Sequence, residues 1–304
     1  KTHEKVKRLE NPSYTAALHL AGERLAAVAV NCISEDYGND PSWIDFTNNN
    51  FPLVVKGDYH GARIDLEESR KMAQELLRVK KGIIILPGYG GLDRTELRMK
   101  TLGRGGSDTA AFGYLYAFQG DSLLILTDVC GILNAMVENG RTVPVIDVEE
   151  AKDAASLGAK LPGRRSLRGL EKYHEEGKDP EVYIAHSQDF NGTRTRIVRD
   201  SEEKVPVKLV AGRDVAIYEL DGDIRGLQNT LAGSGVDWSG QFTDDYARIA
   251  VSQETDSYAE RLFAEYQKQR GLSIVLRISK EDGVALVGAV GSGMYGSPGI
   301  GARF

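Results

Sequence analysis

The sequence predicts an α/β fold with a mostly parallel sheet, followed by a smaller α+β region. Three observations carry this. Residues 82–86 (GIIIL) and 122–126 (SLLIL) are short apolar runs of the kind that form buried strands. Between them lie two glycine-rich turns and a helical run, 109–118; strand, glycine turn, helix and strand in that order indicate a parallel sheet. Beyond the charged stretch 199–204 (RDSEEK), short strand-like runs alternate with helix.

In chain order, residues 1–12 are polar, end in Asn-Pro and read as a lead-in or linker. Residues 14–30 are rich in Ala and Leu and read as a helix, weakened in its middle by Gly22. Close approach by another group is the usual reason for such a glycine. Residues 31–50 read as a loop ending in Thr47-Asn48-Asn49-Asn50, which suits an exposed turn or the border of a small-molecule pocket. Residues 65–79 predict a helix capped by Asp65, with Glu67 and Glu68 at its positive end and Leu66, Ala73, Leu76 and Leu77 on its apolar side. The strand at 82–86 stops at Pro87-Gly88-Tyr89-Gly90-Gly91, and the strand at 122–126 carries Thr127-Asp128 at its end. Ligands of open α/β sheets bind beyond the carboxyl ends of the strands. Gly88, Gly90, Gly91, the Arg104 loop and Asp128 are therefore expected around one crevice.

A helix is predicted over 149–161, leading to Gly158-Ala159-Lys160, and a strand over 181–185, followed by a turn at 191–193. RDSEEK reads as a solvated domain boundary. Strands are expected over 205–218, 247–252, 272–278 and 284–289, and a helix over 257–266 with Leu262, Phe263 and Tyr266 on one side. The chain ends on GSGMYGSPGIG and Phe304, a loop entering a helix.

At 304 residues, 41% hydrophobic and 27% charged, the composition is that of an ordinary globular protein of two or three domains. A net charge of −6 argues against nucleic acid or an anionic membrane as the main partner. Cys32 and Cys130 form neither a disulfide framework nor a metal pattern, which points to a reducing, cytoplasmic compartment. No apolar run is read as membrane-spanning, and KTHEKVKRLENP lacks the apolar core of a signal peptide. With Lys rather than Met first, the chain is expected to be a piece of a longer one. His3, His19, His60, His174 and His186 fit no metal or triad pattern and read as structural or surface residues; Cys130 reads as core filler.

Chemistry concentrates in residues 101–111, TLGRGGSDTAA. Its glycines permit a sharp turn and close approach of a ligand to the main chain. Ser107 or Asp108 suits a helix N-cap, and the free N–H groups at a helix start attract anions. Arg104 adds a planar cation matched to a carboxylate or phosphate. The stretch is neither a Walker loop nor a Rossmann fingerprint.

These residues resemble the aspartate kinase family of the amino-acid kinase superfamily. TLGRGGSDTAA is close to the family's most diagnostic motif; LILTDVCGI resembles its T-D-V-x-G segment, AGERLAA its G-E-R-L-S, LPGYGG its G-F-x-G turn and SLGAK its G-A-K. The resemblance covers about residues 13–300. It implies a three-layer α/β/α kinase domain over 1–204 and ferredoxin-like ACT regulatory modules over 205–304, the second incomplete.

The activity implied is phosphorylation of the L-aspartate β-carboxylate from ATP with Mg²⁺, as a first step towards lysine, threonine and methionine. Such transfer rests on positioning and charge stabilisation. The resemblance makes Arg104, Glu23 and Asp108 the catalytic candidates. Arg104 would hold the α-carboxylate and Glu23 the amino group, with Thr47 and Gly105 completing the substrate contacts. Gly88, Gly90, Gly91, Thr127, Asp128 and Lys160 would face the nucleotide. Gly293, Met294 and Gly296 would take an amino-acid effector, lysine or threonine, in an ACT region that joins copies into a homodimer or higher homo-oligomer. No resident metal site is implied.

Two segments depart from the family pattern. Nothing matches its opening K-F-G-G-[TS]-S strand, and no D-P-R follows Asp128; LPGRRSL also stands where V-L-H-P-R is usual. The alternatives are another amino-acid or small-acid kinase and a kinase-like binding protein of impaired activity.

Overall fold

Asn11 and Pro12 start a helix. The Asn11 side chain accepts a hydrogen bond from the Ser13 N–H at 3.0 Å, and Pro12 occupies a first-turn position where its missing N–H costs nothing. Asn-Pro is thus a helix start where a lead-in was expected. Helix α1 (Pro12–His19) runs through buried Leu20, itself helical in backbone, into α2 (Ala21–Asp36). A Cβ at Gly22 would meet nothing within 4 Å, so no close approach accounts for that glycine. Among the described residues, Pro12–Asp36 is one helical stretch long and apolar enough to cross a membrane (mean hydropathy 1.2), where the sequence reading found none.

The computed structural model describes residues 11–135, 140–159, 161–163, 165–202, 204–205, 207–234, 236, 238–270 and 277–292. The expectations for Lys160, Gly293, Met294 and Gly296, and for the second ACT module, lie outside these residues. The chain divides into two compact units: Lys1–Ile132, Thr142–Lys152 and Leu161–Glu203; and Leu133–Arg141, Asp153–Lys160 and Lys204–Phe304.

In the first unit, β1 (Ser42–Trp43) pairs in parallel with β4 (Ile84–Ile85), and β2 (Val55–Lys56) pairs antiparallel with β3 (Arg63–Ile64). Helix α3 (Leu66–Val79) is capped as its sequence predicts, Asp65 accepting from the Glu68 N–H at 3.1 Å. A hairpin, β5 (Gly90–Asp93) and β6 (Arg98–Thr101), leads into α4 (Gly106–Phe118). A four-stranded sheet has the order β7-β9-β10-β8: β7 (Ser122–Thr127) is parallel to β9 (Glu181–His186), β9 antiparallel to β10 (Asp189–Val198), and β10 parallel to β8 (Val145–Asp147). The expected turn at 191–193 falls in an irregular part of β10. Helix α5 (Val148–Ser156), which spans the division at 152/153, ends before the predicted 161, and helix α6 (Arg168–Glu175) completes the unit's elements. Phe46, Phe51, Leu53, Val55, Leu76, Leu92 and Leu102 form a core under α4.

Strand β7 departs from expectation. Its SLLILT sequence reads as buried, yet none of its residues is, and Leu126 is 50% exposed. It is an edge strand paired on one side only. Cys130 is likewise exposed, not core filler.

The second unit has the order β11 (Leu209–Asp221), α7 (Leu227–Ser234), β12 (Trp238–Phe242), β13 (Tyr246–Ser252), a 3₁₀ turn, α8 (Asp256–Arg270) and β14 (Arg277–Val290). The antiparallel sheet order β12-β13-β11-β14 makes this βαββαβ unit ferredoxin-like. One long strand, β14, replaces the separate run predicted at 284–289. Tyr218, Ile249, Val251, Leu227, Leu231 and Phe263 form its core.

Candidate active site

The geometry of the Arg104 loop follows from its glycines. Gly103 (φ +77°) and Gly105 (φ +66°) adopt left-handed backbone that side chains disfavour. Gly105 caps α4 with no side-chain hydrogen bond, so Ser107 and Asp108, expected as caps, fall inside the first turn. This frees both side chains for other contacts. Arg104 stands exposed at the bend.

The glycine turn at 87–91 packs against this loop. The Leu102 N–H donates to the Tyr89 carbonyl at 2.9 Å, and a Cβ at Gly106 would lie 2.8 Å from the Tyr89 ring. Tyr89 itself has φ +64°, a costly conformation for an aromatic residue. The surrounding glycines and this strain mark a position that sequence reading passed over.

Glu23 reaches the same place from α2. Ser107 Oγ donates to Glu23 Oε1 at 3.3 Å, and a Cβ at Gly88 would lie 3.3 Å from Glu23 Oε2 and 3.6 Å from Ser107 Cα. His19, Gly22, Glu23 and Tyr89 line an open cavity of about 380 Å³. His19, read as structural or surface, is exposed and borders this cavity; its ring contacts that of His60, with centroids 5.3 Å apart. Burial, together with the Glu23 charge, pushes the Tyr114 hydroxyl well above its usual pKa; that hydroxyl donates to the Pro87 carbonyl at 2.8 Å. Burial raises Asp108 against the pull of the α4 N-terminus, which favours a charged carboxylate.

Other candidates sit differently. Gly90 and Gly91 are buried in β5, where a Cβ would lie 2.6 Å from Leu20 Cδ2 and 2.4 Å from Val55 Cγ1 respectively. Packing within the protein by itself requires glycine at both positions. Thr47 donates to Asp45 Oδ2 at 2.9 Å, and Asp45 accepts from Arg24 Nε at 2.8 Å. Burial works to raise Asp45, but the Arg24 and Thr47 bonds hold it below the usual carboxylate range. Thr127 and Asp128 stand at the carboxyl end of β7, the Thr127 hydroxyl donating to Asp128 at 3.1 Å.

The arrangement thus presents a carboxylate at a cavity wall, a guanidinium on the neighbouring loop, and the N–H groups of a helix start. Those three features suit an amino acid, whose ammonium and carboxylate need opposite charges a few ångströms apart. Among the described residues, no cluster of three or more His, Cys, Asp or Glu could hold a metal ion.

Residues 2–168 match the model of the amino acid kinase family. The aspartokinase of Bacillus sp. (strain MGA3) is 28% identical over 278 residues, covering 86% of this chain and 65% of that protein. Aspartokinase 2 of Bacillus subtilis (strain 168) is 26% identical over 295 residues, covering 93% of this chain and 70% of that protein. The chain thus spans about two thirds of the length of these relatives. The crystal structure of E. coli aspartokinase III in complex with aspartate and ADP superposes with a TM-score of 0.76 at 22% identity, over 99% of this chain and 72% of that one. The same enzyme in complex with lysine and aspartate gives 0.64 at 22% identity, over 95% and 69%. At that identity the likeness is one of fold.

Proposed function

The chain belongs to the amino acid kinase family, and from that premise we propose that it is an aspartate kinase, transferring phosphate from ATP to the β-carboxylate of L-aspartate to give 4-phospho-L-aspartate. The observation that carries the reading is the convergence of Glu23, Gly88 and Ser107 beside the Arg104 loop. Glu23 binds the substrate ammonium, Arg104 its α-carboxylate, and Gly105 offers main chain at the turn. Thr47 is a further substrate contact. The β-carboxylate then points away from both anchors, towards the N–H groups opening α4. Asp108, in the first turn of α4, orients the groups that meet the reacting carboxylate, which enters ionised and has no proton to lose.

The left-handed turn and helix start fit the anionic end of a nucleotide. Gly88, Gly90, Gly91, Thr127, Asp128 and Lys160 are assigned to ATP, Gly90 and Gly91 also shaping the turn from inside. Bound with ATP, Mg²⁺ supplies charge neutralisation at the phosphates; no resident metal site is needed for that. The ferredoxin-like unit is assigned to feedback control by an amino acid, lysine or threonine, with Gly293, Met294 and Gly296 at the effector and pairing of copies through this region. A second reading, a kinase for another small acid, draws on the absence of D-P-R after Asp128.

A coupled ADP-release assay on the full-length protein tests the proposal. Turnover with L-aspartate and capture of an aspartyl hydroxamate are expected. Turnover with another small acid alone would favour the second reading, and no turnover with any would defeat both.

A further inference from the structure

The net charge of −6 conceals a local excess of cations beside the Arg104 loop. Arg63 opens β3, directly opposite Lys56 of β2. Arg165 Nη2 donates to the Gly61 carbonyl at 3.2 Å. Burial and the nearby charge of Arg63 both push the Arg165 pKa down. Among the described residues, neither arginine forms an ion pair. The carboxylate closest in sequence, Asp65, is taken by Lys56 Nζ at 2.6 Å and by the Glu68 N–H. Both arginines are exposed, and two like charges on adjoining segments with no carboxylate between them present a positive patch to an anion.

Their surroundings tie them to the loop. Gly61, which accepts from Arg165, packs so closely that a Cβ at Gly103 would lie 3.2 Å from its Cα. The next residue, Ser166, is buried, with its Oγ 2.8 Å from Thr109 Oγ1 and 3.4 Å from the Gly105 carbonyl. The segments bearing Arg63, Arg104 and Arg165 therefore meet at the N-terminal end of α4, whose dipole adds further positive potential.

We propose that Arg63 and Arg165 form an oxyanion subsite beside the Arg104 loop that takes a phosphate group. Charge balance selects phosphate over carboxylate. One carboxylate neutralises one guanidinium, whereas a phosphate monoanion–dianion carries roughly −1.5 to −2 at neutral pH. A guanidinium fork also engages two phosphate oxygens at once. The phosphate belongs to a nucleotide or is a free phosphate; the chemistry of recognition is the same. The subsite does not depend on which acid the protein phosphorylates.

The test is calorimetric titration of the full-length protein with inorganic phosphate in low-salt buffer, repeated with Arg63→Gln, Arg165→Gln and Arg104→Gln. The first two substitutions are expected to weaken phosphate binding at least tenfold, and the third less than threefold. Added salt should weaken binding in the parent. If Arg165→Gln fails to fold, Arg165→Lys, which keeps the charge and loses the fork, is expected to bind several-fold more weakly. Phosphate binding that is absent in the parent, or unchanged in both Arg63→Gln and the Arg165 variant, would overturn the subsite. Titration with ATP after phosphate assigns the source: displacement of phosphate by ATP marks a nucleotide subsite, and additive binding marks a free-phosphate site. Aspartate turnover measured on the same preparations reports separately on the kinase reading, since phosphate binding lost in Arg165→Gln stands whether or not aspartate is a substrate.

Discussion

Ser107 donates its hydroxyl to the carboxylate of Glu23 at 3.3 Å, across 84 positions of sequence. The contact exists because Gly105, not Ser107, caps α4. It joins the first turn of α2 to the first turn of α4 and orients the carboxylate against the cavity. Glu23→Gln keeps the shape and removes the charge. On the proposed function, the apparent KM for aspartate should rise by an amount worth about 1.5–3 kcal/mol, that of a charged hydrogen bond. The KM for ATP should stay within a factor of two. Steady-state kinetics varying each substrate in turn would show it; a rise confined to ATP would count against the assignment.

Arg104→Lys separates charge from geometry. Lysine keeps the cation but cannot grip two carboxylate oxygens, so aspartate should bind more weakly by about 1–3 kcal/mol. Aspartate competition by a carboxylate-free amine distinguishes this from a general loss of charge. Unchanged KM and kcat would remove Arg104 from the substrate site.

Gly22 and Gly91 look alike in sequence and differ in structure. A Cβ at position 22 meets nothing within 4 Å, whereas at position 91 it lies 2.4 Å from Val55 Cγ1 and 2.7 Å from the Leu53 carbonyl. Gly22→Ala should therefore raise stability by up to about 1 kcal/mol through helix propensity. Gly91→Ala should lower it by about 1–3 kcal/mol through overpacking. Thermal denaturation followed by circular dichroism reads both, and equal effects of the two substitutions would contradict the packing described.

Local chemistry made some of this readable from sequence and left the rest hidden. Asp65 capping α3 was legible because cap, acidic first turn and apolar stripe lie within one 15-residue window. The loop at Arg104 was legible for the same reason. The role of Gly105 was not, because Ser107 and Asp108 are better caps by residue type and only the backbone angle reverses the choice. Strand β12 (WSGQF) has weak β-propensity and owes its existence to pairing with β13. Strand β7 has strong propensity but stays uncovered: apolar composition fixes the tendency to be a strand, not what covers it. The meeting of Glu23 with Ser107 is tertiary, and only the motifs flanking each residue hinted at it.

Lys100 governs the acid stability of the β5–β6 hairpin. It is almost wholly buried, and its Nζ donates to Asp93 at 2.8 Å, Glu96 at 2.8 Å and the Gly57 carbonyl at 2.7 Å. Burial works to raise Asp93, but Lys100 and the N–H groups of Glu96 and Thr95 hold it below the usual range. A depressed carboxylate contributes stability that is present above its unfolded pKa, about 3.9, and lost as pH falls through the folded value. The parent Tm should therefore drop on acidification below about pH 4. Lys100→Met leaves Asp93 buried without its cation and should cost about 3 kcal/mol at pH 7. Part of that loss should be recovered towards pH 4, where Asp93 becomes neutral. A variant whose deficit is the same at pH 4 and pH 7 would show that the ion pair is not the cause.

Asp108 has the opposite sign. Burial raises its pKa although it sits in the first turn of α4, where the helix dipole favours the anion. The folded chain then holds this proton more tightly than the unfolded chain does. Stability falls as pH rises from the unfolded pKa to the raised folded value, and the loss persists at neutral pH. Asp108→Asn removes the ionisable group and should raise the Tm at pH 7 while leaving it unchanged at pH 3, where both forms are neutral. The same substitution should lower kcat by about 10²-fold if Asp108 orients the reacting groups. The KM for aspartate should change little. Differential scanning calorimetry at the two pH values, together with kcat, separates the possibilities. Added stability with full activity would leave Asp108 as a half-buried carboxylate without a catalytic part, and a loss of both would mean that it holds the loop in place.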